Sequence, residues 1–154
     1  MSLPFTVQTL DHYEVYGRFA SALRRERVAI QREDGKTHYL GASEGNRLVG
    51  VAGWTDMGNG HIRLKTDFVR PEFRRKGIYQ MLWAGRMERV EALRPRVLTA
   101  FCTPMSLPTY LKAGFERESE RNGIAFVRKK ILYEAIQTMV GGIPPEVLEA
   151  NQPG

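Results

Sequence analysis

The chain has 154 residues, 42% hydrophobic and 26% charged, the length and composition of one ordinary globular domain and not of a disordered segment. Its longest apolar run, around residues 49–54, is too short to cross a bilayer, and the opening Met1-Ser2-Leu3-Pro4 lacks the basic lead and apolar core of a secretory leader. The net charge is +6, and because Glu134, Glu146 and Glu149 are the only charged residues beyond position 131, the preceding residues carry +9, a bias that favours phosphate-bearing partners such as nucleotides, coenzymes or nucleic acid.

Taken in chain order, residues 5–10 alternate apolar and polar side chains and predict a first strand. Asp11 then caps a helix over about 13–27, with Val15, Phe19, Ala22 and Leu23 recurring at threes and fours. Residues 37–42 and 47–55 predict two strands joined by Ser43-Glu44-Gly45-Asn46, and Met57-Gly58-Asn59-Gly60 turns the chain into a third, 61–69, which Pro71 stops. These three strands form an antiparallel meander.

A basic loop follows, then a helix from Ile78 to about Leu93 on the stripe Ile78, Leu82, Trp83, Met87 and Val90, closed by Pro95. Residues 96–101 predict a strand, 107–112 a short helix with Gly114 as its left-handed cap, and 115–120 with 124–131 a hairpin around Arg121-Asn122-Gly123. The order β-α-β-β-β-α-β-α-β-β predicts an α/β (α+β) domain, a central mixed but mostly antiparallel sheet with helices on its faces.

Chemistry is expected at the junction of the 61–69 strand and the following helix, Arg74-Arg75-Lys76-Gly77-Ile78-Tyr79. Unpaired amides at a helix N-terminus and the helix dipole attract anions, and Gly77 lets a ligand approach the backbone. Such a junction suits a pyrophosphate. It is neither a P-loop nor a dinucleotide fingerprint, so nucleotide hydrolysis and dinucleotide binding find no support. A single cysteine, Cys102, excludes an internal disulfide and a multi-cysteine zinc site, and none of His12, His38 and His61 stands at helical ligand spacing from a carboxylate; no metal is expected, and a reducing, cytoplasmic setting fits best.

At these residues the chain resembles the GNAT acyltransferase superfamily, whose signature is Gln/Arg-x-x-Gly-x-Gly/Ala after a strand ending in Val-x-Pro. Val69-Arg70-Pro71 through Arg74-Arg75-Lys76-Gly77-Ile78-Tyr79 matches it except at the last position, and a second family element, Tyr-x-x-x-Gly-Phe, stands here as Tyr110-Leu111-Lys112-Ala113-Gly114-Phe115. The resemblance covers about residues 5–131. It implies an acetyltransferase domain at 1–131; the remaining residues, 132–154, predict a C-terminal helix, broken by Gly141-Gly142-Ile143-Pro144-Pro145, and a flexible tail.

The resemblance further implies acetyl-CoA as co-substrate, its pyrophosphate held by the loop Arg74, Arg75, Lys76, Gly77, Ile78 and Tyr79, and its pantetheine arm held by the backbone of Phe68 and Val69. The same likeness gives Tyr110 the role of proton donor to the departing thiolate, and Asp67 is the candidate base for the amine. Asp67 could alternatively pair with Arg63, Lys65 or Arg70. No acyl-enzyme is required, so Cys102 need not react. Tyr79 replaces the family's Gly or Ala and Thr103 a frequent Asn.

The resemblance implies an acceptor pocket made by the first helix, the hairpin of the second and third strands and the final hairpin, regions that here hold Tyr13, Tyr16, Arg24, Arg25, Arg27, Trp54, Asp56, Arg121 and Asn122. The acceptor is expected to be a primary amine on a small, amino-acid-like or nucleotide-like molecule, or a protein N-terminus or lysine. A nucleobase in DNA or RNA is an alternative acceptor, and a non-catalytic acyl-CoA or nucleic-acid binder is an alternative function. No membrane partner is expected. Apolar residues of the tail, Ile136, Met139, Val140 and Ile143, leave monomer and homodimer open.

Overall fold

The computed structural model describes residues 4–30 and 32–132. Its elements are β1 (Phe5–Leu10), α1 (His12–Arg25), β2 (Thr37–Glu44), β3 (Arg47–Gly58), β4 (His61–Val69), α2 (Ile78–Ala92), β5 (Val97–Cys102), α3 (Leu107–Lys112), β6 (Glu116–Arg121) and β7 (Ile124–Lys130), the α/β order expected from the sequence. A single 3-10 turn, Pro71–Phe73, follows β4. The expected tail helix lies, from residue 133 on, outside the described residues.

The seven strands form one sheet in the order β1-β2-β3-β4-β5-β7-β6. Every neighbouring pair is antiparallel except β4–β5, which is parallel and therefore needs a crossover, supplied by α2. Alternation along the strands divides the core: Leu40 and Val49 face the layer under α2 and α3, while Tyr39, Leu48 and Val51 face Val15, Phe19 and Leu23 of α1. Helices thus cover both faces.

The parallel pairing is short. It runs only from His61–Leu64 against Val97–Ala100, although β4 continues to Val69. The cause lies on the other side of β4, where Gly53 pairs with Lys65 and Val51 with Phe68, so that Ala52 faces both Thr66 and Asp67. This is a β-bulge, and bulges bend the strand that carries them. Thr66 sits in the left-handed region at φ 59°, an unfavourable place for a β-branched residue, and its buried hydroxyl has no hydrogen-bond partner. Beyond Leu64 the two strands part, and the gap faces the start of α2.

Local signals set the other joints. At α1 the Glu14 N–H donates to Asp11 Oδ1 at 2.7 Å and the Asp11 N–H to Glu14 Oε1 at 3.1 Å, a reciprocal cap. The last hairpin turns on Asn122 and Gly123, both left-handed, as a two-residue turn between twisted strands requires. Asp11→Ala is expected to lower stability by about 1 kcal/mol, measured as a lower urea midpoint with an unchanged slope.

Candidate active site

Two things meet at the gap between β4 and β5: the loop entering α2, and a buried polar cluster. In the loop, Arg75 (φ 65°) and Gly77 (φ 79°) are both left-handed, and no side chain caps α2, so the amides of its first turn keep their donors free of a cap. The loop borders a cavity of about 310 Å³, lined among others by Val69, Arg75, Gly77, Ile78, Tyr79 and Thr109. Arg74 also lines it, but its guanidinium is committed elsewhere: Nε donates to the Val69 carbonyl at 2.8 Å and Nη2 pairs with Glu26 at 2.6 Å. Arg74 therefore ties the loop to β4 and to the end of α1. Lys76 lies over the Phe73 ring at 5.3 Å.

Strand geometry orients the gap-side backbone. The Arg70 N–H donates to Val49 O at 2.8 Å, toward β3, so alternation turns the Val69 N–H the opposite way, into the gap. Phe68 pairs with Val51 in the ladder, and its side chain is buried against Phe19 with ring centroids 6.0 Å apart.

Beneath the gap lies the cluster. Arg86 of α2 is fully buried, and its Nη1 and Nη2 grip Asp67 Oδ1 and Oδ2 at 2.8 and 2.9 Å; Nη1 also donates to the Gly53 carbonyl at 3.2 Å. Tyr110 of α3 donates its hydroxyl to Asp67 Oδ2 at 2.9 Å, and Tyr79 donates to the same oxygen. Trp83 and Phe115 pack edge-on against the Tyr110 ring at 4.8 and 5.0 Å. Burial, with Asp67 adding to it, holds the Tyr79 hydroxyl well above the ordinary phenol range. The Tyr110 hydroxyl is raised in the same way, by burial first, with Arg86 opposing and Asp67 adding. Burial works against the Arg86 charge, but Asp67 outweighs it and keeps the guanidinium ionised. Burial and Asp67 also push the Cys102 thiol up to about 12, so it stays protonated at neutral pH.

Asp67 therefore has a partner other than Arg63, Lys65 or Arg70, and with two guanidinium and two phenol donors on it, it is an anchor rather than a free carboxylate. The sequence reading missed Arg86. The signal was present: the buried residues of α2 are Ile78, Leu82, Arg86 and Val90, spaced by four, so a cation stands inside the apolar stripe and requires a buried counter-ion.

On the far side of β4 a second cavity, about 250 Å³, is lined by Arg27, Arg63, Lys65, Asp67, Phe101, Thr103 and Ser106 among others. Asp67 borders this cavity and Tyr79 the first, so the hydrogen-bonded pair stands between the two. Tyr110, 1% exposed, borders neither. Of the residues expected around the acceptor, Arg27 lines the second cavity, and Arg121 and Asn122 line an adjoining depression with it. The others are elsewhere: Tyr13 and Tyr16 are exposed on α1 beside His12, Trp54 is buried and stacked on His38, and Asp56 accepts from the Gly58 N–H in the β3–β4 turn. Arg24 and Arg25 form the exposed last turn of α1. Among the described residues no three His, Cys, Asp or Glu side chains stand close enough to hold a metal ion, and no helix is long and apolar enough to cross a membrane.

Comparisons with known proteins identify the family and the fold. Residues 8–132 match the family model described as an acetyltransferase (GNAT) domain, and the chain belongs to this family. The PaiA N-acetyltransferase from Thermoplasma acidophilum, in complex with coenzyme A, has the same fold at a TM-score of 0.64 and 14% identity, over 84% of this chain and 100% of that one. A GNAT-family acetyltransferase from Staphylococcus aureus gives 0.66 at 14% identity, over 83% and 99% of the two chains. N-acetylglutamate synthase from Neisseria gonorrhoeae, complexed with coenzyme A and N-acetyl-glutamate, gives 0.66 at 11% identity over 86% of this chain but 36% of its own. No curated protein matches the chain in sequence.

Two outcomes follow from the cluster. Arg86→Met leaves the Asp67 charge buried without its partner and is expected to lower stability by about 3–5 kcal/mol; adding Asp67→Leu removes the orphaned charge and recovers part of the loss, both read in urea. The buried Tyr79 and Tyr110 hydroxyls, with Tyr39 and Cys102 each raised to about 12, keep their protons in the folded state where the unfolded chain loses them. Their contribution is thus fully present below the ordinary thiol value of 9.0 and falls as pH rises, first from Cys102 and, past 10.0, from the phenols, at about 1.4 kcal/mol per pH unit for each group. Urea midpoints between pH 7 and 11.5 measure this fall.

Proposed function

We propose that the protein transfers an acetyl group from acetyl-CoA to a primary amine by direct attack of the amine on the thioester. The observation that carries this reading is the parting of β4 from β5 after Leu64, with the Val69 N–H facing the gap and the uncapped start of α2 at its mouth. The residues present fit the coenzyme. Left-handed Arg75 and Gly77 turn the loop into the uncapped start of α2, whose first-turn amides, with Arg75 and Lys76 adding positive charge, suit a pyrophosphate. The backbone of Phe68 and Val69 takes the pantetheine arm, and the Val69 N–H polarises the thioester carbonyl and stabilises the oxyanion that develops on it.

In this scheme Tyr110 gives its proton to the leaving thiolate; its raised pKa keeps the hydroxyl protonated at neutral pH. Asp67 accepts the Tyr110 hydrogen bond and aims the ring, and Arg86 fixes Asp67. The base role expected of Asp67 gives way here to positioning, because both its oxygens already accept hydrogen bonds. The amine reaches the gap from the second cavity and loses its proton to water there.

Calorimetric titration with acetyl-CoA and with free coenzyme A tests the reading, followed by thiol release in the presence of amines. Micromolar binding is expected. Tyr110→Phe is expected to lower kcat about 10²–10⁴-fold while the acetyl-CoA Kd stays the same. No binding by the wild type or by Tyr79→Gly, which removes the Tyr79 ring from the first cavity, would overturn the proposal.

A further inference from the structure

The second cavity has a chemical bias that acetyl transfer alone does not demand. Its only carboxylate, Asp67, is neutralised by Arg86, while Arg27 and Arg63 project onto it and neither has a carboxylate partner among the described residues. Arg63 rests its guanidinium on the Phe101 ring at 5.1 Å and donates through Nε to Thr99 Oγ1 at 3.3 Å. Burial draws its pKa below the ordinary guanidinium value. A half-buried cation with no anion beside it is unfavourable unless something else supplies the charge.

Arg27 is held there at the expense of backbone strain. At the end of α1 the Val28 N–H reaches back to Leu23 O at 2.9 Å and the Arg27 N–H to Arg24 O at 3.1 Å, a helix stop whose left-handed position glycine normally fills. Arg27 occupies it at φ 62°. Its Nη1 extends to the β6–β7 turn, 3.5 Å from where a Cβ on Gly123 would stand. Arginine in a glycine position, aimed across a cavity mouth, points to use of its charge. Between the two cations the Phe101 ring is 59% exposed, an apolar face beside a charged rim.

We infer that the acceptor is a small primary amine carrying an oxyanion, a carboxylate or a phosphate, which Arg27 and Arg63 bind while the acceptor's body lies on Phe101 and its amine points to the gap. The cavity of about 250 Å³ lies below the usual range for drug-sized ligands and suits a molecule of amino-acid size. This rests on the acyl-transfer reading above.

Matched pairs test it, with the full chain, acetyl-CoA and thiol release: tyrosine against tyramine for the carboxylate, O-phosphoethanolamine against ethanolamine for the phosphate, and spermidine and a single-stranded oligonucleotide as outsiders. The anionic member of at least one pair is expected to exceed its partner about ten- to a hundredfold in kcat/KM, and the better pair identifies the oxyanion. Arg63→Gln and Arg27→Gly are expected to abolish that preference through KM, with acetyl-CoA binding unaltered and, for Arg27→Gly, a urea midpoint no lower than wild type. Preference for tyramine, ethanolamine, spermidine or the oligonucleotide, or variants that keep the anionic preference, would overturn the inference and leave acyl transfer standing. If no amine is acetylated, the same ligands are titrated into protein saturated with coenzyme A. Anion-selective binding lost in Arg63→Gln then supports the inference while acyl transfer fails, and its absence overturns the inference.

Discussion

The ion pair between Arg86 and Asp67 is the constraint on which the rest of the site depends. Asp67 belongs to the bulge of β4, and Arg86 to the middle of the crossover helix, so their bidentate contact fixes the helix against the strand where the strand leaves its neighbour. Neither charge could be buried alone. Once paired, they provide a rigid polar floor that the hydroxyls of Tyr79 and Tyr110 share, and through Tyr110 it reaches α3. A hydrophobic pair of similar size would stabilise the packing as well or better, but it would leave two buried hydroxyls without an acceptor.

Much of the architecture was legible in the sequence because its signals are local. β1, β4 and α3 have the limits their patterns predict, since alternation, Pro71 and Gly114 each act within a few residues. β3 runs three residues further than expected because its ladder with β4 continues to the Gly58–His61 pair at the turn. The two motif segments, Val69 to Tyr79 and Tyr110 to Phe115, meet through Asp67, which accepts from both Tyr79 and Tyr110.

What remained hidden is non-local. No pattern along the chain announces that Asp67 meets Arg86, 19 positions away on another element, nor that Arg74 is spent on Glu26, 48 positions away. Trp54 and Asp56 were expected at the acceptor because the family likeness places the pocket at the hairpin of the second and third strands. Their side chains are instead settled by the end of the sheet beyond the bulge, where the indole is buried against His38. Tyr79 was readable as an oddity of the motif, but only the register of α2 over β4 shows that its hydroxyl reaches Asp67.

The brevity of the parallel ladder has a mechanical meaning. Among the described residues four rungs, from His61–Val97 to Leu64–Ala100, join the β1–β4 meander to the β5–β7–β6 unit, extended at one end by the Arg96 and Val97 N–H groups, which donate to Gly60 O at 2.7 and 3.1 Å. The first block is assembled from strands adjacent in sequence, and the second from the β6–β7 hairpin with β5 added to β7; the seam between them closes only after the whole of α2 has been traversed. The sheet is thus two leaves joined along one line, and the open part of that line is the gap. A molecule lying in the gap with its backbone-binding groups against β4 would take the place of the missing rungs, and its binding would then be linked to the cohesion of the two leaves.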